Sequence, residues 1–506
     1  MSDFFVNILK PVIDNIEKYS DRNAFCIDGV FFKYADFGKT ISKIRQEVKK
    51  IGKDVTRIGV VGNDDLETYA SFFALWLENK YYVPLSPMEP IDRCLQMINQ
   101  FSVTIILDSS HLSVYPENLI VPTNQLVFSK IDLEYENRGS EDDLVYILFT
   151  SGSTGIPKAV PTSRKNLLIF IESMVNEAYE LTFEDKCLQC NNLNFDGSVL
   201  SYLYPLLFGA SIYTVPHDQI VYSYIYGLLE NHQLTTAFIA PSTIRYLRPY
   251  FNEIYLPALN YCALGGEGLS LDLLNEWAKC IPNAIIDNIY GPTEFTIYCI
   301  FARYNRSDIS VNKAYNGIFH IGKPFIQTKI LIADSENNEV PLGVHGELCL
   351  SGGQLTQGYL NDDEKNATSF FSKKGIRYYK TGDICFVDEE GDIMFVGRID
   401  SQVQIYGYRV ELGEIEYYAR KLLNGLNVYV TAIENCIGNM EIVLFIESGP
   451  IDTNSLDTKL RQLLQGYMVP RQICFVSQFP LNNNGKIDKK KLIASLKGES
   501  TINEVA

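Results

Sequence analysis

The sequence predicts an α/β fold: a large N-terminal domain of layered sheets and helices, followed by a small α+β domain. Three observations carry this. Short apolar runs at 144–149, 236–240 and 284–289 are bounded by polar or Gly/Pro turns, the pattern of strands buried on both faces. Stretches with helical spacing alternate with them, which argues for helices packed outside a sheet. Near residues 397–408 the pattern changes, leaving roughly a hundred residues, enough for a compact unit.

Each element has its own justification. The 166–178 stretch places Leu167, Ile171, Met174 and Val175 on one helical face. The 270–280 stretch opens with Ser270, a good N-cap, and turns Leu273, Leu274 and Trp277 inward. Strand-like runs at 383–387 and 393–396 flank an acidic turn, Asp388-Glu389-Glu390-Gly391-Asp392. Beyond the boundary, 413–423 reads as a helix, and 428–432 and 441–446 read as strands. We divide the chain at about Asp400, giving domains 1–399 and 400–506.

Composition narrows the function classes. Of 506 residues, 44 are Lys or Arg and 61 are Asp or Glu, a net charge of −17. General nucleic-acid binding, which needs a basic surplus to neutralise phosphates, is disfavoured. With 46% hydrophobic and 21% charged residues, the chain has the makeup of a globular protein. The N-terminus has no basic-then-apolar signal pattern, and no run reaches the ~18–20 apolar residues of a membrane span. Eleven cysteines without a framework point to reduced thiols and a cytoplasmic location. Cys187 and Cys190 have redox-motif spacing, but a lone pair of this kind reads as buried strand thiols.

Four segments carry chemistry. Thr150-Ser151-Gly152-Ser153-Thr154-Gly155-Ile156-Pro157-Lys158 follows a strand; small residues, hydroxyls, backbone N–H groups and a lysine suit an oxyanion. It lacks the GxxxxGK[ST] spacing, and a surface turn is the competing reading. Asn288-Ile289-Tyr290-Gly291-Pro292-Thr293-Glu294 also leaves a strand, where α/β proteins place ligands; otherwise it is a Gly-Pro turn with an N-capping threonine. Lys380-Thr381-Gly382-Asp383 and Gly397-Arg398-Ile399-Asp400 bring acid and base near the boundary. Asn484-Gly485-Lys486 presents a lysine in a turn, within a run that could equally be a solvated face.

Taken together, the chain resembles the adenylate-forming superfamily, in particular amino-acid adenylation enzymes of nonribosomal peptide synthesis and D-alanine–carrier-protein ligases. The matching motifs are TSGSTGIPK, FDGS (195–198), NIYGPTE, GELCLSGGQLTQGYL (346–360), YKTGD (379–383), GRIDSQVQIYGYRVELGEIE (397–416) and NNNGKID (482–488), in the family's order.

The resemblance implies an ATP-dependent, AMP-forming acid–thiol ligase that uses Mg²⁺. A carboxylate first forms an acyl-adenylate with release of pyrophosphate; the phosphopantetheine thiol of a carrier protein then takes the acyl group. By the match, Thr150, Ser151, Gly152, Ser153, Thr154, Gly155 and Lys158 hold the phosphates. Asn288 and Tyr290 meet the adenine, with Gly266, Glu267 and Gly268 on its other side, and Gly291 also belongs to the nucleotide site. Thr293 binds the α-phosphate, Glu294 the metal, and Asp383 with Arg398 the ribose. Lys486 bridges the carboxylate and the nucleotide, brought in by a small domain that rotates about Asp400 and later opens a thiol tunnel past Gly407.

Asp196 is implied to bind an α-ammonium, although it also suits a helix N-cap. The implied pocket is Gly197, Leu200, Phe238, Cys262, Leu264, Ile289, Ile297 and Tyr298, which favours an apolar, aliphatic amino acid, with Leu264 shortening the cavity. Ala159 replaces a usual glycine, Gln404 and Tyr406 replace a typical Lys and Arg, and Gly265 stands where D-alanine ligases generally have cysteine. The chain ends soon after the Lys486 motif, so a freestanding enzyme with a separate carrier is expected. The alternatives are a D-alanine ligase, an acyl- or aryl-CoA ligase, or a nucleotide-binding scaffold; no membrane insertion is expected.

Overall fold

A computed structural model describes residues 4–135, 139–152, 157–216, 221–480 and 487–496. It has the mixed α/β architecture expected, in two compact units. The first comprises Met1–Pro87, Leu95–Thr150 and Lys158–Asp400; the second, Met88–Cys94, Ser151–Pro157 and Ser401–Ala506. The main division thus falls after Asp400. That two short upstream stretches belong with the C-terminal residues had no signal in the sequence.

In the first unit, among the described residues, a nine-stranded sheet runs Lys323–Pro324, Ile300–Arg303, Ile285–Tyr290, Tyr261–Gly265, Thr236–Ile239, Lys186–Gln189, Ser211–Thr214, Asn23–Ile27 and Val30–Lys33. Its middle strands pair in parallel, so their carboxyl ends share one edge. A six-stranded sheet includes the hairpin Leu144–Thr150 and Lys158–Ser163. In a third, five-stranded sheet, Ile376–Val387 pairs antiparallel with Ile393–Arg398. Around the acidic turn joining them, Lys313 forms ion pairs with Asp388, Glu390 and Asp392.

Period-two alternation sorts the nine-stranded sheet into two cores. Phe238, Tyr261 and Ala263 face one layer; Ala237, Ile239, Cys262 and Leu264 face the other. The expected helix at 270–280 is Leu271–Cys280, with Leu273, Leu274 and Trp277 buried; Ser270 is its N-cap without a side-chain capping bond. The 166–178 expectation is corrected. An α-helix, Arg164–Ser173, is capped by Ser163 and followed by a π-helical turn, Met174–Ala178. Met174 is buried while Val175 faces solvent.

The second unit has its own core, built from Leu412–Leu422 and the sheet Val428–Glu434, Met440–Glu447 and Gln472–Val476. A hairpin, Gln402–Ile405 with Tyr408–Glu411, turns at Tyr406 and Gly407, both left-handed at φ 53° and 82°. Two positive φ values in a two-residue loop follow the strand twist, though a tyrosine is an uncommon occupant of the first position. None of the eleven cysteines forms a disulfide; Cys187 and Cys190 are a strand thiol and its neighbour, and burial pushes Cys190 up to about 12. No described helix is long and apolar enough to cross a membrane.

Candidate active site

The parallel strands of the nine-stranded sheet release their loops at one edge, and three of those loops carry implied site residues. Lys186–Gln189 leads to Asp196 and Gly197, Tyr261–Gly265 to Gly266, Glu267 and Gly268, and Ile285–Tyr290 to Gly291, Thr293 and Glu294, while a fourth, after Thr236–Ile239, carries Ser242, which the sequence reading did not name. This is where open parallel sheets place ligands, because strand ends leave backbone groups and loop side chains convergent there.

On the nucleotide side, three implied residues meet directly. The Tyr290 hydroxyl donates to Asp383 Oδ2 at 2.5 Å, and Arg398 pairs with Asp383 Oδ1. Asp383 and Arg398 oppose each other in the antiparallel ladder, which fixes that pair before any ligand enters. Arg398 also forks onto Asp400, with both N–H···O distances 2.8 Å. Burial and the adjacent Asp383 carboxylate hold the Tyr290 phenol well above its usual range, so it remains a donor. Asn288 is buried and donates to the His320 carbonyl at 2.9 Å. Glu267 accepts from Ser242 N at 3.0 Å, tying two of the loops together.

Thr150 and Lys158 close a β-hairpin whose loop is 151–157. Lys158 therefore leads into a strand rather than a helix, consistent with the departure from the helix-opening phosphate motif. The Thr150 hydroxyl is a buried oxygen without a hydrogen-bond partner among the described residues, at the exit toward that loop. Within the second unit, Ser151 Oγ donates to Arg409 O at 3.0 Å, and Gly152 N donates to Glu414 Oε2 at 3.2 Å. Ser153, Thr154, Gly155 and Lys486 lie outside the described residues.

On the acyl side, Asp196 is the first residue of the helix Asp196–Phe208, whose N-cap is Phe195, so the N-cap expectation for Asp196 is corrected. Its Oδ2 accepts from Ile297 N at 3.2 Å. Burial pushes its carboxyl up to about 6, with N–H donors from Ile297 and Gly197 and the Thr293 hydroxyl opposing and the Glu294 charge adding. Glu294 is fully buried, and Oε1 accepts from the Tyr359 hydroxyl at 2.6 Å.

The implied pocket residues divide by strand face. Phe238 and Ile289 lie on the face shared with Ala263 and Gly265; Leu200 and Ile297 belong to the same core layer. Cys262 and Leu264 do not join them. They face the opposite core with Leu273, Leu274 and Trp277, because adjacent strand residues point to opposite sides. The shortening expected from Leu264 is therefore corrected. A Cβ on Gly265 would come within 2.5 Å of Ile289 Cγ1 and 2.8 Å of Ile289 O, so Ile289 fills the room that a side chain at 265 would take. Tyr298 is also turned into the core, packed on Phe170 and Phe325, with its hydroxyl donating to Met174 Sδ.

The sequence reading missed the residues that hold the 293–298 loop. Thr356 N donates to Glu294 O at 2.9 Å, and Gln354 and Tyr359 reach the same loop with their side chains. All three lie in the quoted motif at 346–360, but nothing in the spacing says which loop they meet. Gly291 is needed because a Cβ there would lie 2.3 Å from Tyr298 Cα.

The AMP-binding enzyme family model matches residues 13–360. The chain belongs to this family. It is 28% identical to a D-alanine–D-alanyl carrier protein ligase of Lactiplantibacillus plantarum, across 97% of this chain and all of that one. It is 29% identical to surfactin synthase subunit 2 of Bacillus subtilis across 93% of this chain, but spans only 13% of that protein. The Vibrio cholerae adenylation domain AlmE, solved with glycyl-adenosine-5'-phosphate, superposes with a TM-score of 0.85 at 25% identity, covering 97% of both chains. As a family member, the chain is an ATP-dependent, AMP-forming ligase of the nonribosomal adenylation or D-alanine–carrier type.

Proposed function

We propose that the enzyme activates a small to medium apolar amino acid and passes it to the phosphopantetheine thiol of a separate carrier protein in the cytoplasm. In the first half-reaction a substrate carboxylate oxygen attacks the α-phosphorus of ATP; the bond to the α–β bridging oxygen breaks and pyrophosphate leaves. In the second, a thiolate attacks the acyl carbon and AMP leaves with its electron pair. Two anions meet in the first step, so donors and cations around the phosphates bear most of the work.

The observation that carries the substrate class is Asp196. Among the described residues its hydrogen bonds come from N–H and O–H dipoles, and burial pushes its carboxyl up to about 6. An α-ammonium supplies a compensating charge; a des-amino acid does not. Apolar Phe238, Leu200, Ile289 and Ile297 disfavour a charged side chain, and Ile289 occupies the space beside Gly265 that a longer substrate side chain would need. The glycyl adenylate bound by AlmE and the D-alanine named for the Lactiplantibacillus relative are substrates of that size.

In this reading Asp383, Arg398 and Tyr290 hold the ribose and adenine, while Thr150, Lys158 and the loop between them hold the phosphates. Thr293 takes the α-phosphate, and Lys486 contacts the attacking carboxylate. The buried hydroxyl of Thr150 suits a phosphate oxygen. Glu294, a buried carboxylate that accepts from the Tyr359 hydroxyl, is the residue that would hold Mg²⁺, which binds one or two carboxylates plus substrate phosphates and needs no protein cage. When bound, it neutralises phosphate charge. Rotation about Asp400 would exchange Lys486 for the thiol path past Gly407.

ATP–pyrophosphate exchange over L- and D-amino acids and simple carboxylic acids tests the reading. Exchange with small apolar amino acids supports it, and exchange confined to non-amino acids overturns it.

A further inference from the structure

The turn that presents Ile297 N–H to Asp196 is strained. Thr296 and Ile297 are consecutive left-handed residues, φ 54° and 71°, and both are β-branched, the side-chain class that tolerates this region least. Such a conformation persists only where its surroundings over-determine it. Gln354 does this. Its Nε2 donates to the carbonyls of Phe295, Thr296 and Tyr298 at 3.3, 3.1 and 2.9 Å, so two N–H bonds are shared among three acceptors that bracket the turn. Thr296 Oγ1 returns a bond to the Gln354 carbonyl at 2.7 Å. Gln354 and Thr296 are each 1% exposed, so water cannot replace these bonds. Because all three partners are acceptors, the side-chain amide has one orientation here and a carboxylate would repel them.

We propose that Gln354 is a positioning residue for amino-acid binding: it holds the Thr296–Ile297 turn and, through Ile297 N–H, sets the Asp196 carboxylate for the substrate ammonium. This rests on the amino-acid reading above. Gln354 touches neither substrate nor nucleotide in this role, and the Tyr290–Asp383–Arg398 cluster does not depend on it. Its loss is therefore expected in one Michaelis constant rather than both.

The test is pyrophosphate exchange with Gln354→Met, which keeps the volume and removes the donors, alongside Asp196→Ala and the double variant. Circular dichroism and melting curves accompany each. The expected result for Gln354→Met is an amino-acid KM raised at least ~10-fold with the ATP KM within about twofold, the size of one or two lost hydrogen bonds. In the Asp196→Ala background the same change should add less than about twofold, because both act through one contact. Gln354→His, which retains an N–H, should recover part of the affinity; it carries the test should the Met variant fail to fold. Equal rises in both KM values, additive effects, or wild-type behaviour of the Met variant overturn the positioning role. If Asp196→Ala leaves the amino-acid KM unchanged, the amino-acid reading falls too. A sensitive Asp196→Ala with an insensitive Gln354→Met removes this inference alone.

Discussion

The two halves of the site handle a buried carboxylate in opposite ways. On the nucleotide side, Asp383 already has an arginine and a phenol on its two oxygens, placed by strand register. On the acyl side, Asp196 has only N–H and O–H donors among the described residues, and Ile297 N–H is presented by a strained turn. A guanidinium and a phenol held on its oxygens make Asp383, on the proposed reading, a preset acceptor for neutral ribose hydroxyls. Donors alone leave the second half biased toward a cation. On the proposed reading, the contrast is between an acceptor preset for sugar hydroxyls and a carboxylate left for an ammonium.

Removal of the Lys486 cation should have the largest effect. Lys486→Ala is expected to lower adenylation by about 10²–10³-fold or more, on the scale of a lost transition-state donor, while thiolation of a supplied adenylate survives. Rapid quench of each half-reaction checks this, and equal loss of both would break the division of labour.

Next is Asp196→Ala, expected to cost about 10²–10³-fold in kcat/KM for the amino acid with little change in the ATP KM, as for truncation of one partner of a desolvated charge pair. Tyr290→Phe should act on the other half, raising the ATP KM by roughly 10-fold through loss of a hydrogen bond to a charged group.

The pH dependence sharpens the same contrast. Asp196 in the free enzyme titrates near 6, raised from its ordinary value, so it is ionised above that pH and protonated below it. The ammonium binds only the ionised form. Amino-acid kcat/KM should thus fall about 10-fold per pH unit below about 6, a limb that Asp196→Ala removes. The smallest catalytic effect belongs to Leu264→Ala, which should cost about 2–5 kcal/mol of stability in denaturant titration with unchanged substrate preference. Ile289→Ala, in contrast, should widen preference toward larger side chains.

Strand exits were legible in the sequence because short apolar runs ending in Gly-rich polar loops have few other readings, and the motifs put Asp196 and Tyr290 at them; Asp383 instead lies inside the strand Ile376–Val387. Facing was not. Cys262 and Leu264 sit on the right strand but point away, because a motif match gives a position and strand alternation gives the side. Val175 faces solvent because it stands about 80° round the helix from Leu167, at the margin of the apolar face. Gln354 and Tyr359 were quoted only as motif letters; their partners lie 56–65 residues away, a distance that local patterns do not span.

The most direct test is single-turnover formation of adenylate from an amino acid and its des-amino analogue, matched in side chain, in wild type and Asp196→Ala. A strong preference for the amino acid that collapses in the variant is the expected result. Equal rates for the two acids in wild type would contradict an acyl pocket organised around an ammonium.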